Sequence, residues 1–307
     1  MQPASLAERF GIPGMVRFEP GEGGLTRAVV TASGATAHVY LHGAHVTHFQ
    51  PASSPPVLFT SPRSAFVAGR AIRGGVPVIF PWFGPNPDDP RAPDHGFART
   101  LEWAVESVEA GNESVAIGLV LGPSDATLAA WPHAFLLRYR VNVGPALEAT
   151  LTVENRSSSA FVFQEALHTY LHVGDVEAAS VQGLEGTAYI DKADGMARKR
   201  QAREPVRLRG LTDRVYLDTE GPCVVQDPVL DRRLLIDKRG SRTTVVWNPG
   251  LDTARAMGDL GAEAWRSMLC VETANAADNA VRLEPGQRHA MSAHLAVARG
   301  RSGPVAP

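Results

Sequence analysis

Three stretches of this chain gather the side chains that can grip anions or move protons. The first is FVAGRAIRGGVPVIFPWFGPNPDDPRAPDHGFARTLEW, residues 66–103. Arg73 stands directly before Gly74 and Gly75, and His95-Gly96-Phe97-Ala98-Arg99 closes the proline- and aspartate-rich run 84–94. Guanidinium forks match planar or tetrahedral anions, and glycine lets backbone approach a ligand closely. The stretch reads as an anion pocket with aromatic walls, or else as a glycine-proline loop with surface arginines. The second is FVFQEALHTYLHV, 161–173. As a strand it turns Phe161, Phe163, Leu167, Leu171 and Val173 toward a core, with Glu165 the exception. Gln164, His168, Tyr170 and His172 share the other face with Val162 and Ala166, which suits a polar cleft or the solvent face of a sandwich. The third is SMLCVETANAADN, 267–279, where Met268, Cys270 and Glu272 share one face. A carboxylate following an apolar run is partly desolvated and can be tuned as a general base. The alternative is a strand-end glutamate in water.

Histidines invite a metal reading. His42, His45 and His48 lie in LHGAHVTHF (41–49), and His168 and His172 lie four apart. In a strand the first three alternate faces. The pair lacks a third ligand, and no HExxH pattern occurs, so no metal site is expected.

The elements that must hold these residues are mostly strands. From Val16 to Ala298 short alternating runs are punctuated by Gly, Pro, Asn and Asp. Val115, Ile117, Leu119 and Leu121 share one parity; so do Leu137, Tyr139, Val141 and Val143, and then Leu147, Ala149, Leu151 and Val153. Three such runs predict an antiparallel meander with one buried face, and Met291, Ala293, Leu295 and Val297 repeat the pattern. Ser124 caps a predicted short helix through Ala130, ended by Pro132. Residues 253–267 form a second helical candidate, interrupted by Gly258 and Gly261. No βαβ alternation appears, which argues against a doubly wound nucleotide-binding sheet. The expected division is an N-terminal arm or short helix over 1–15, a single domain over 16–298 and a disordered tail over 299–307.

The 307 residues are 44% hydrophobic with a formal net charge of −2, which excludes a disordered chain and gives no reason to expect a nucleic-acid partner. Lys192, Lys199 and Lys238 are the only lysines. Arginine is thus a compositional habit here, and only arginines inside a motif carry weight. Cys223 and Cys270 are too few for a disulfide framework and read as small hydrophobes. The sequence shows neither a signal peptide nor an apolar run long enough to span a membrane, so a cytoplasmic protein is expected.

Seven motifs occur in order: IRGGVPVIFPWFGP (72–85), DHGFART (94–100), WPHAF (131–135), ALHTYLHV (166–173), LTDRVY (211–216), VWNP (246–249) and MLCVETAN (268–275). Together they resemble the D-hexose-6-phosphate mutarotases, or glucose-6-phosphate 1-epimerases, of the aldose 1-epimerase superfamily, over roughly Val16 to Ala298. The resemblance implies an all-β, galactose-mutarotase-like supersandwich with few short helices, a sugar-phosphate substrate, and no metal or organic cofactor. By motif, His168 matches the catalytic acid and Glu272 the catalytic base. Arg73 and Arg99 match phosphate- and sugar-binding arginines, Asp213 an aspartate holding sugar hydroxyls, and His95 a ring-contacting histidine. Two positions depart. Asp94 stands where some relatives carry a ligand-contacting glutamine, and an acid there would repel a phosphate; it is kept as a substrate-binding candidate. Gly250 follows VWNP where tryptophan is frequent, which would loosen one wall of the cleft. The implied reaction interconverts the α and β anomers of a hexose 6-phosphate. The alternatives are a non-catalytic sugar-phosphate-binding sandwich, a mutarotase of free aldoses, and a glycoside hydrolase. The last usually needs two carboxylates across the sugar ring, and here the partner of Glu272 is a histidine.

Overall fold

The computed structural model describes residues 2–86 and 88–299. Their regular structure is mostly strand, joined by long turns and loops, with three short α-helices. One eight-stranded sheet runs Ala197–Arg200, Ala188–Asp191, Thr212–Leu217, Thr243–Asn248, Met268–Asn275, Glu165–Leu167 and Val78–Ile79, with Tyr170–His172 also paired to Met268–Asn275. A second eight-stranded sheet contains the predicted meander. Val115–Leu121, Phe135–Val143 and Leu147–Asn155 are consecutive antiparallel neighbours, and Arg288–Arg299 pairs on their far side. Alternation decides which face is buried. Leu137, Tyr139, Val141 and Val143 are fully buried, while Arg138 and Arg140 between them reach Glu106 and Glu109 on the outer face. A four-stranded sheet, Val16 to Gln50, completes the sandwich, and one apolar cluster runs through the whole, from Leu6 to Leu295.

The helices are local events. In α1 (Pro3–Phe10), within the segment expected as an arm or short helix, Leu6 is buried in the main core. Ser124 caps α2 (Asp125–Ala130): its Oγ accepts from the Thr127 N–H, and the Thr127 hydroxyl accepts from the Ser124 N–H. The helical candidate over 253–267 is corrected to two pieces, α3 (Gly250–Ala256) and a 3-10 turn at Ala264–Ser267, with the two glycines in the segment between. Arg299 is the last residue of a twelve-residue strand rather than part of the tail, and 300–307 lie outside the described residues. No helix among the described residues is long and apolar enough to cross a membrane. Both cysteines are free and buried.

The run 161–173 is the informative departure. It is three strands, Phe161–Phe163, Glu165–Leu167 and Tyr170–His172, not one. The first pairs with Val281–Leu283, and the other two both pair with Met268–Asn275. Their register on that strand is continuous: Leu167 faces Thr273 and Tyr170 faces Cys270. It therefore sets His168 opposite Glu272, at the point where ladder pairing lapses.

Candidate active site

Residues directly opposite on antiparallel strands point to the same face. Asp213 faces Trp247, Trp247 faces Cys270 and Cys270 faces Tyr170, one row across four strands. The next row holds Val245, Glu272 and His168. Above these rows lies a cavity of about 280 Å³ whose lining includes all seven residues expected at a site: Arg73, Asp94, His95, Arg99, His168, Asp213 and Glu272. A larger hollow of about 520 Å³ around Lys238, Arg242 and His289 shares none of them; volume alone does not locate chemistry.

Backbone conformation delivers the loop residues. His95 and Gly84 pinch the 84–95 loop: the His95 N–H donates to the Gly84 carbonyl (2.7 Å) and the Gly84 N–H donates to His95 Nδ1 (3.2 Å). Nδ1 is thus an acceptor, so the neutral ring carries its proton on Nε2. Gly96 lies at φ +71°, and a Cβ there would sit 1.9 Å from the Phe80 carbonyl oxygen. Only glycine lets this loop dock beside Val78–Ile79.

The two arginines differ. Arg73 donates through Nε to Asp259 (3.0 Å), with Nη2 also 3.0 Å from the same carboxylate oxygen, and through Nη1 to the Tyr170 hydroxyl (3.0 Å). Arg99 has no carboxylate partner among the described residues; Nη2 donates to the Asp94 carbonyl (2.8 Å), and its buried Nε has no partner. Burial lowers the Arg99 pKa, the opposite of the rise at paired Arg73. Arg99 is therefore the cation with most to gain from an anion. The Asp94 side chain is exposed, and its backbone carbonyl holds Arg99. Asp94 nonetheless lines the cavity, and its charge opposes the effect of burial on Arg99.

His168 and Glu272 are 6% and 1% exposed, with Nδ1 3.3 Å from Oε1. The His168 ring stacks on Tyr170 at 4.8 Å and meets the His95 ring edge at 5.5 Å. Burial, then His95, Arg99 and Arg73, push the imidazole well below its ordinary value. Burial, then Asp213, push the Glu272 carboxyl well above its own. The low dielectric favours the neutral form of each, yet proximity favours an ion pair. Both descriptions hold the same single proton, and the pair titrates as a unit.

Several contributors lie beyond the seven expected site residues. Lys192 lines the cavity, 3.5 Å from Asp213 and 5.5 Å above the Phe83 ring. Its scarcity was the available signal, because a lysine in an arginine-rich chain marks a position where arginine does not serve. Tyr170 and Asp259 position Arg73. His45, fully buried and held down to about 3 by desolvation, donates from Nε2 to the Gly74 carbonyl (2.6 Å), bracing the backbone beside Arg73. His42 instead donates to the Arg70 carbonyl and His48 meets the His38 ring at a tilt, 4.8 Å between centroids, so this run does not converge. Gln164 and His172 share strand parity with His168 but lie outside the cavity lining. Gly250 corrects another expectation. It does not line the cavity; it lies at φ +63° with its Cβ position 2.6 Å from the Leu211 nitrogen, while Trp247 and Met257 form the wall.

Comparison with known proteins agrees with this geometry. The family model for aldose 1-epimerase matches residues 27–296. An Escherichia coli K12 protein named "Putative glucose-6-phosphate 1-epimerase" is 38% identical over 244 residues, 78% of this chain and 79% of its own. One of the same name from Cenchrus ciliaris is 32% identical, over 86% of this chain and 82% of its own. A crystal structure of a "putative mutarotase" from Salmonella typhimurium superposes with a TM-score of 0.88 at 31% identity, over 94% of this chain and 96% of that one. With the fold, the cavity and a match across nearly the whole sandwich in agreement, the chain belongs to the aldose 1-epimerase family.

Proposed function

We propose that this protein interconverts the α and β anomers of a D-hexose 6-phosphate, with glucose 6-phosphate the first candidate. The observation that carries the reading is one cavity holding both a buried imidazole–carboxylate pair and an arginine without a carboxylate partner. Glu272 as carboxylate takes the O1 proton while His168 as imidazolium protonates the ring oxygen. The C1–O5 bond breaks, and the sugar opens to an aldehyde. Rotation about C1–C2 presents the other carbonyl face. The O5 hydroxyl returns its proton to His168 as the ring closes, and Glu272 returns its proton to O1. The scheme balances with one acid and one base.

Both placements of the pair's proton belong to this cycle. The charged pair flanks the closed ring, and the neutral pair accompanies the open chain. Desolvation, which favours the neutral pair, thereby favours the open-chain intermediate and lowers the step that leads to it. Arg99 and Arg73 hold the phosphate and orient C1 from a distance, while Asp213, Lys192 and His95 Nε2–H are placed to meet sugar hydroxyls. The names of the bacterial and plant relatives support the phosphorylated substrate, and a phosphorylated metabolite fits a cytoplasmic enzyme. The test is anomer-resolved NMR exchange on glucose 6-phosphate and on glucose. Exchange well above the buffer rate for the phosphorylated sugar supports the reading; no acceleration of either sugar refutes it.

A further inference from the structure

Cys270 has no part in the scheme above. It is fully buried, two residues before Glu272 on the same face of its strand, and flanked by Tyr170 and Trp247. Its Sγ, a ring nitrogen of His168 and a carboxylate oxygen of Glu272 lie within 4.8 Å of one another. His168 Nδ1 and Glu272 Oε2 are buried atoms with no hydrogen-bond partner in the protein, although their residues are only 6% and 1% exposed. Buried polar atoms without partners are uncommon and costly. Two of them beside a thiol mark a place built for more than the hydrogen bonds present.

Donor chemistry and the spacing of the His168–Glu272 pair point to one ion. The set as a whole spreads to 4.8 Å, wider than the roughly 3.5 Å between a thiolate and a nitrogen on one tetrahedral zinc, so binding draws the Cys270 thiol inward. Nitrogen and oxygen ligands about 2.0–2.1 Å from a tetrahedral ion stand about 3.3 Å apart, and His168 Nδ1 is 3.3 Å from Glu272 Oε1. Imidazole, thiolate and carboxylate form a mixed set suited to borderline-soft zinc. Three protein ligands leave the fourth position toward the cavity. We propose that His168, Cys270 and Glu272 bind one zinc ion at the floor of the cavity, and that the ion stops anomer exchange by occupying the lone pairs of the acid and the base. The inhibition, though not the binding, rests on the acid–base reading above. Coordination displaces the thiol proton and the proton that His168 and Glu272 share. Arg73, Arg99 and Lys192 line the same cavity and oppose a divalent cation. Thiolate and carboxylate set two negative charges against it. Zinc and sugar contend for the same groups, so substrate protects.

The test titrates the full-length protein with zinc chloride by calorimetry and with cobalt(II) by absorption, alongside anomer exchange. One ion per chain, a thiolate-to-cobalt band in the near ultraviolet, and inhibition reversed by a chelator are expected. Cys270→Ser and Cys270→Ala should each weaken zinc by roughly 100-fold or more while keeping basal exchange and losing zinc sensitivity. Using both separates ligation from packing, because serine keeps the branch shape with a smaller polar atom, whereas alanine removes the group and leaves a small void. His168→Asn should weaken zinc similarly. Unchanged zinc affinity in both Cys270 variants, or cobalt binding without the thiolate band, overturns the site. Binding that needs Cys270 while exchange ignores zinc keeps the site and refutes its coupling to catalysis.

Discussion

His168 and Glu272 hold one proton between them, and the kinetics should show it. Replacing His168 by Asn or Glu272 by Gln keeps shape and removes a transfer worth roughly 10²–10⁴ in rate. Near wild-type exchange in either folded variant would refute the pair. The rate should be bell-shaped in pH, because the pair works only while it carries that one proton. With the imidazole pushed down and the carboxyl pushed up, the acid limb is His168 gaining a second proton for the pair, and the alkaline limb is Glu272 losing the only one. This reverses the assignment that unperturbed values would give. The ring-nitrogen shifts of His168 should follow the acid limb, measured with glucose, which has no phosphate titrating there. Arg99 carries a further prediction. A charge-assisted contact to the phosphate is worth roughly 1.5–3 kcal/mol. Arg99→Ala should therefore lower kcat/KM for glucose 6-phosphate by about ten- to a hundredfold and hardly affect glucose. If the ratio between the two sugars stays at the wild-type value, the cavity does not read phosphate.

At the scale of elements, the site depends on a loop clamped to a short strand. Gly96→Ala drives a Cβ into the Phe80 carbonyl oxygen and adds the left-handed backbone penalty at φ +71°. It should lower the thermal midpoint and displace His95 and Arg99, cutting activity along with stability. Gly14→Ala separates the two causes, because Gly14 has nearly the same φ (+76°) with nothing within 4 Å of its Cβ position. That variant should lose only about 1 kcal/mol and keep full activity. Equal losses in the two would mean that the Phe80 contact yields freely. The lining residues come from as far apart in sequence as Arg73 and Glu272, because each loop is fixed by its own strand and the strands are fixed to one another by register.

For the whole molecule, the notable group far from the cavity is Lys238. It is 7% exposed, and its Nζ lies 2.8–3.2 Å from four oxygens, of Thr219, Ser241, Thr243 and Thr244, with no carboxylate among them. Burial lowers it to about 8 from an ordinary 10.5, against the opposing pull of Cys223 and Glu220. The sign follows: between about pH 8 and 10.5 the unfolded chain keeps a proton that the folded one has lost. This lysine therefore costs stability at neutral pH, and the cost fades as pH rises through that window, on the order of 3 kcal/mol at most. Lys238→Met should remove this rise. Denaturant midpoints of wild type and variant across pH 7–10, taken as a difference, cancel the buried cysteines and tyrosines that titrate nearby. A difference independent of pH would mean that Lys238 keeps its proton throughout.

Sequence periodicity alone determined the strands of the meander, the cap of α2 and the polar parity shared by His168 and Tyr170, because these follow from local sterics and alternation. The motifs also carried the seven expected site residues, all of which line the cavity, but not Lys192, Val245 or Met257, which line it too. What the chain could not display locally was register and pairing. That His168 faces Glu272 depends on how Met268–Asn275 slides against a segment a hundred residues away, and a one-residue slip would turn the whole face over. The inequality of the arginines has the same origin. Arg73 is neutralised by Asp259, nearly two hundred positions on, whereas Arg99 donates to the Asp94 carbonyl and has no carboxylate partner among the described residues. Lys192 and Cys270 took their places near His168 and Glu272 only when the sheet closed, because the strands between them are joined by hydrogen bonds that identical backbone groups make in any register.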